Sequence, residues 1–184
     1  MGYRRRIDDP VHDDIQDILT TSLVGVTTWT NRQIRTTGVV LPHIATGDIF
    51  SITLQFPHRK KLGSALDGVH LHFMPVASAN GNIKFTYAWG WYKVGDTIPN
   101  TLPNTGDTGD ILLATTDQFK HKLQNIVANL AAPAGETYSS ILMIKCTRVA
   151  PAGTDWGGSN ELAILYMDAH FVADGNGSIN ETND

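Results

Sequence analysis

Val69-His70-Leu71-His72-Phe73-Met74 and Tyr166-Met167-Asp168-Ala169-His170-Phe171 decide how this chain is read. Side chains alternate between the two faces of a strand, so Val69, Leu71 and Phe73 share one surface while His70, His72 and Met74 share the other. By the same count Tyr166, Asp168 and His170 project together. Where these two polar faces meet, three imidazoles and a carboxylate converge. Such a convergence is a metal centre, a catalytic cluster or a hydrogen-bonded structural core.

Working outward, the neighbouring segments carry strand signals too. Ile49 to Phe56 alternates along its length, placing Phe50, Ile52, Leu54 and Phe56 on one face before Pro57 ends it. Ala79-Asn80-Gly81-Asn82 is a turn of hairpin type, and Ile83 to Tyr92 follows as an aromatic strand, so 69–74 and 83–92 are expected to pair as a hairpin. Residues 95–110, rich in Gly, Pro, Asn and Thr, are expected as an exposed loop. Residues 116–130 fit either a helix through Phe119, Leu123, Ile126, Val127 and Leu130 or a strand through Phe119, His121 and Leu123. Two late strands, 139–149 and 161–172, flank the turn around Asp155-Trp156-Gly157-Gly158. Many strands with at most two helices argue for an antiparallel sandwich or jelly roll rather than a parallel sheet.

The N-terminal part reads differently. Residues 1–12 are polar and charged, with Pro10 as a break; Asp13-Asp14 then precede Ile15, Ile18, Leu19 and Leu23, a spacing that suits a short amphipathic helix with an aspartate cap. From Val24 to Thr37 the Thr-rich chain with Trp29 reads as extended. Leu41-Pro42 and Gly47-Asp48 mark turns. The expected organisation is an extended N-terminal arm with a short helix over residues 1–47, an all-β domain over 48–178 and a C-terminal tail over 179–184.

Composition bounds the function classes. The chain has 184 residues, enough for one domain with a real core, and carries only 17% charged residues against 41% hydrophobic ones. That balance, with abundant Gly, Thr and Asn, suits a surface devoted to protein contacts and equally a neutral, solvated β-protein. A net charge of −4 argues against direct nucleic-acid binding, and the basic runs Arg4-Arg5-Arg6 and Arg59-Lys60-Lys61 read as solvated or contact-making. Cys146 is alone, so no intrachain disulfide can form, and its apolar surroundings suit a buried thiol. No apolar stretch reaches the roughly 18 residues of a membrane helix, and the N-terminal arginines have no apolar signal core behind them. A soluble chain made in a cytoplasm, with no membrane partner, is the expectation.

Gly68-Val69-His70-Leu71-His72 resembles the first metal-binding stretch of cupins, in which two histidines on a strand reach one ion. The cupin pattern then expects a glutamate, where this chain has Met74-Pro75-Val76. Asp168 and His170 are able to complete a three-ligand set, yet the hydrogen-bonded reading ranks first, with no metal, cofactor or catalytic residue assigned. There is no Gly-x-Ser-x-Gly elbow, and Gly157-Gly158-Ser159 lacks the lysine and the helix of a phosphate loop, so the chain is not expected to be an enzyme.

Taken in order, Phe56-Pro57-His58-Arg59-Lys60 with Gly63-Ser64, His70-Leu71-His72-Phe73-Met74-Pro75, Tyr87-Ala88-Trp89, and Tyr166 to Phe171 followed by Asp174 and Gly177-Ser178 resemble a family of tailed-bacteriophage and prophage virion structural proteins. The resemblance covers roughly residues 48–178. It implies a jelly-roll subunit, trimeric, acting as a capsid decoration (cement) protein on the outer surface of the virion and binding the major capsid protein. It also implies strand for residues 111–135. On this reading the arm, through Arg4, Arg5, Arg6, Ile15, Ile18, Leu19 and Trp29, spreads over neighbouring capsid subunits, and His70, His72, Asp168 and His170 form a structural polar cluster. Two alternatives stand beside it: a tail, fibre or receptor-binding component using Trp89, Trp91 and Trp156 against glycans, and a cupin-like metal-binding protein.

Overall fold

Period-two alternation, with apolar residues on every second position, builds the long strands of the molecule. The computed structural model describes residues 11–17, 30–57 and 60–173. Its strands are β1 (Val11–Asp17), β2 (Thr30–Gln33), β3 (Val40–Ile44), β4 (Ile49–Gln55), β5 (Leu66–Pro75), β6 (Gly81–Tyr92), β7 (Asn104–Asp107), β8 (Ile111–Leu113), β9 (Lys122–Leu130), β10 (Ile141–Val149) and β11 (Leu162–Ala173). A single 3-10 turn, Thr115–Asp117, interrupts them among the described residues. No described helix is long and apolar enough to cross a membrane.

Two antiparallel sheets result. One runs β2-β3-β11-β5-β9, with β1 also on β11; the other runs β4-β10-β6-β7, with β8 also on β6. They pack face to face through the alternating apolar positions: Phe50, Ile52 and Leu54 of β4, Val69, Leu71 and Phe73 of β5, Ile83 and Phe85 of β6, Leu142, Ile144 and Cys146 of β10, and Met167, Ala169 and Phe171 of β11. Ring contacts tie the layers, Phe73 to Phe85 at 6.4 Å and Phe56 to Phe171 at 6.5 Å between centroids. Burial of each large apolar side chain contributes roughly 1.5–3 kcal/mol, so this inner layer dominates the stability. The chain is an all-β sandwich, as the alternation predicts.

Four local expectations are corrected. The turn at Asn80-Gly81 does not close a hairpin: β5 pairs with β11 and β9, and β6 with β10, β7 and β8. The turn carries the chain from one sheet to the other, so that Phe73 and Phe85 oppose each other across the core instead of lying side by side. Where an amphipathic helix was expected from Asp13 onward, Val11–Asp17 is a strand whose partners run from Ala173 to Met167. A short isolated helix is marginal in water, and hydrogen bonds to a waiting strand edge outweigh a weak 3.6-residue pattern; Ile18, Leu19 and Leu23 lie outside the described residues. Residues 30–44 form the β2–β3 hairpin, so sheet structure begins well before residue 48. Leu41-Pro42 is inside β3 and not a turn: Pro42 pairs with Asn31 of β2, while on the other side β11 pairs only with Ile44 and His43, so the proline has a ladder partner on one side alone.

The strand reading of residues 116–130 agrees with β9. Within the expected loop 95–110, Asn104–Asp107 adds a short strand on Thr86 to Trp89.

Candidate functional site

Because β5 lies between β9 and β11, residues at its centre have neighbours on both sides. The register sets His70 opposite Asp168 and His72 opposite Tyr166 on one flank, and His70 opposite Asn125 and His72 opposite Leu123 on the other. A register shift at Leu165 makes this possible. Ile164 pairs with Phe73 in the core, whereas Tyr166, two residues on, pairs with His72 on the outer face. One extra residue reverses the parity of the strand, the usual effect of a β-bulge, and aims Tyr166, Asp168 and His170 away from the second sheet.

The cluster is compact and centred on one carboxylate. Asp168 Oδ1 lies 3.2 Å from His70 Nδ1, and Oδ2 lies 3.3 Å from His72 Nε2 and 3.8 Å from His170 Nε2. Side-chain exposure falls from 37% at His170 to 14% at His70, 7% at His72 and 6% at Asp168, so the carboxylate is at the bottom and His170 at the rim. The His70 and His170 rings meet edge to face at 4.5 Å. His72 is held from two sides, stacked on Tyr166 at 4.1 Å and 17° and with Nδ1 2.7 Å from His121 Nε2.

Proton placement follows from the acceptors. An ionised carboxylate only accepts, so His70 Nδ1–H donates to Asp168. Two ring nitrogens at 2.7 Å share one proton, and the carboxylate beside His72 Nε2 favours a proton there, so His121 Nε2–H donates to His72 Nδ1. His72 Nε2 is nevertheless buried without an aligned hydrogen bond: its approach to Asp168 is within ion-pair range but poorly directed. Burial pushes His72 below the usual histidine range; Asp168 acts in the opposite direction, and His121 and His70 add to the lowering. His70, Asp168 and His170 each offer a ligand atom, and the three atoms lie within 4.8 Å of one another.

All four residues expected in the polar cluster are brought together. His121 joins them across the sheet from β9's side, a role that the ambiguous periodicity of residues 116–130 concealed. Gly68, opposite His170, also serves the cluster, since a Cβ there would stand 3.2 Å from His70 Nε2.

Other expected site residues are placed differently. Trp91 is buried and donates from Nε1 to Ser140 Oγ at 3.0 Å, and Trp156 is buried and donates to the Ala79 carbonyl at 3.1 Å. Both belong to the core, which corrects their assignment to an exposed glycan-stacking face; Trp89 is half-buried and packs against the same core. Of the arm residues, Ile15 occupies the β1 position paired with Ala169. Arg4, Arg5, Arg6, Ile18, Leu19 and Trp29 lie outside the described residues. Cys146 is fully buried between the sheets, which pushes its thiol up to about 12 and leaves no reactive thiolate.

Two buried cations escaped the sequence reading. Lys60, read there as part of a solvated basic run, is buried and pairs with Glu136 Oε2 at 2.8 Å beside the Trp91 ring. Arg148 is fully buried over Trp156 and donates to the carbonyls of Ile44, Gly157 and Asn160, tying the β3–β4 turn to the loop before β11.

Compared with known family models and with curated proteins, the chain matches none.

Proposed function

We propose that this chain is a structural subunit of a tailed-phage virion: a capsid decoration (cement) protein that binds the major capsid protein lattice as a trimer. One observation carries the reading. His-x-His and Asp-x-His, the two motifs on which the resemblance chiefly rests, are 98 positions apart yet lie on adjacent strands as one cluster. They form one structural unit on the β5–β11 ladder, as a shared role in the fold would require.

The strand order supports a jelly roll. β3-β11-β5-β9 facing β4-β10-β6-β7 interleaves strands from both ends of the chain in each sheet, the nested pattern of that fold. β1, laid along the edge of β11, fits an N-terminal segment suited to adding strands to a neighbour.

The alternatives gain less. A sugar-binding face loses Trp91 and Trp156 to the core. A cupin-like enzyme would need its histidines lining an internal chamber, and the interior side of β5 is instead filled by Val69, Leu71 and Phe73.

Sedimentation velocity of the purified chain, followed by co-sedimentation with empty capsids of its own phage, tests the proposal. A trimer that pellets with capsids at saturable stoichiometry is expected. A monomer that stays in the supernatant overturns it.

A further inference from the structure

We propose that His70, Asp168 and His170 form a binding site for a divalent first-row transition-metal ion of the zinc class, on the outer face of the β5–β11 ladder. The claim is independent of the virion reading, because it rests on donor chemistry and placement alone.

Three donors of the right kind converge. Two imidazoles and one carboxylate suit borderline ions such as zinc, cobalt and nickel, whereas calcium and magnesium prefer all-oxygen shells. Each neutral ring presents the lone pair of one nitrogen and keeps its proton on the other. The three ligand atoms already lie within 4.8 Å of one another. Zinc bonds of about 2.0–2.2 Å place tetrahedral ligand atoms roughly 3.4 Å apart, so closure needs movement of up to about 1.4 Å. That movement falls to the His170 side chain at the rim, 37% exposed, while the ladder pairing His70 with Asp168 and His170 with Gly68 fixes the backbone.

A second observation points the same way. His72 is 7% exposed, its Nε2 has no aligned partner, and that atom lies 3.3 Å from Asp168 Oδ2. A small rotation of the carboxylate toward an ion would leave Oδ2 to accept from His72, and ligating carboxylates are characteristically steadied by such a bond. His72 is pre-set for this by His121 at 2.7 Å and by the Tyr166 ring. Gly68 keeps the space beside the His70 ring open, since a Cβ would come within 3.2 Å of Nε2. Three protein ligands leave the remaining positions, on the exposed side, to water. The hydrogen-bonded cluster is then the metal-free form of the same site.

The full chain, stripped with chelator and dialysed, is titrated with zinc chloride by calorimetry and with cobalt chloride by visible absorption; thermal unfolding is followed with zinc and with magnesium. One equivalent of zinc, a d–d band from bound cobalt and a rise in Tm with zinc but not magnesium are expected. His170→Gln, at the exposed rim, should keep the fold and lower zinc affinity by at least the roughly 10–100-fold that loss of an outer partner of a metal ligand costs. His70→Gln provides the second variant, with circular dichroism reporting its fold. Absence of a zinc-dependent Tm shift in the parent chain overturns the proposal. So does zinc binding of equal affinity in the parent and in folded His170→Gln, which would mark adventitious chelation elsewhere.

Discussion

His70 and Asp168 face each other across the β5–β11 ladder, with Nδ1 3.2 Å from Oδ1 and the carboxylate only 6% exposed. One acceptor therefore satisfies a donor from a strand 98 positions away and fixes the register in which both motifs meet.

Asp168→Ala removes that acceptor and leaves the His70 donor partly buried and unpaired. The cost is expected at about 1.5–3 kcal/mol, the range for hydrogen bonds to charged groups. Urea unfolding reads it as a lower midpoint with an unchanged slope. An unaltered midpoint would mean that the cluster contributes nothing to the fold.

Metal-free protein should lose stability in mild acid through His72. Its folded pKa lies below the ordinary histidine range, with burial the main cause, so the unfolded chain binds more protons in mild acid. Stability is full above the unfolded value and declines as pH falls through it toward the folded value. The groups facing His72 are Asp168, His121 and His70, and protonation of any further ring adds repulsion. Chemical denaturation at pH 7.5 and at steps below 6.5 tests this; His72→Phe should flatten the slope.

Lys60 and Glu136 form a buried pair, 2% and 1% exposed. Glu136 also accepts from the Gly63 amide at 2.8 Å and from Ser140 Oγ at 3.2 Å. Glu136→Gln strands the Lys60 ammonium, whose pKa burial already lowers, and is expected to cost about 3–5 kcal/mol. Adding Lys60→Met to that variant should recover part of the loss, because the cost lies in the uncompensated charge. A denaturant double-mutant cycle measures the coupling.

Gly81→Ala should destabilise, since its Cβ would stand 2.5 Å from the Trp156 Cα and 2.6 Å from the Trp156 backbone nitrogen. Overpacking of this kind costs about 1–3 kcal/mol. Gly158→Ala, where the nearest atom is 3.7 Å away, serves as the matched control and should shift Tm little. Similar Tm losses in both would remove the close approach as the cause.

The alternation of Val69 to Phe73 and of Phe50 to Phe56 made the sandwich legible, because period-two burial is a local property of sequence. Pairing was not local. Asn80-Gly81 signals a reversal, but whether it joins neighbours in one sheet or crosses between two depends on where Phe73 and Phe85 find their partners. The cluster followed from parity alone for His70, His72, Asp168 and His170, helped by a bulge at Leu165 that leaves no mark in the residue types. Lys60 and Arg148 were hidden for the opposite reason. A cation in sequence looks solvated, and only tertiary structure supplies the carboxylate or carbonyls that allow its burial.

Cryo-electron microscopy of tailed-phage particles assembled in the presence of this chain is the direct test of the proposed decoration role. Threefold density on the outer capsid surface, fitted by three copies of the sandwich in contact with the major capsid protein, is the expected result. Particles whose heads carry no such density, with the chain absent or placed elsewhere, would contradict it.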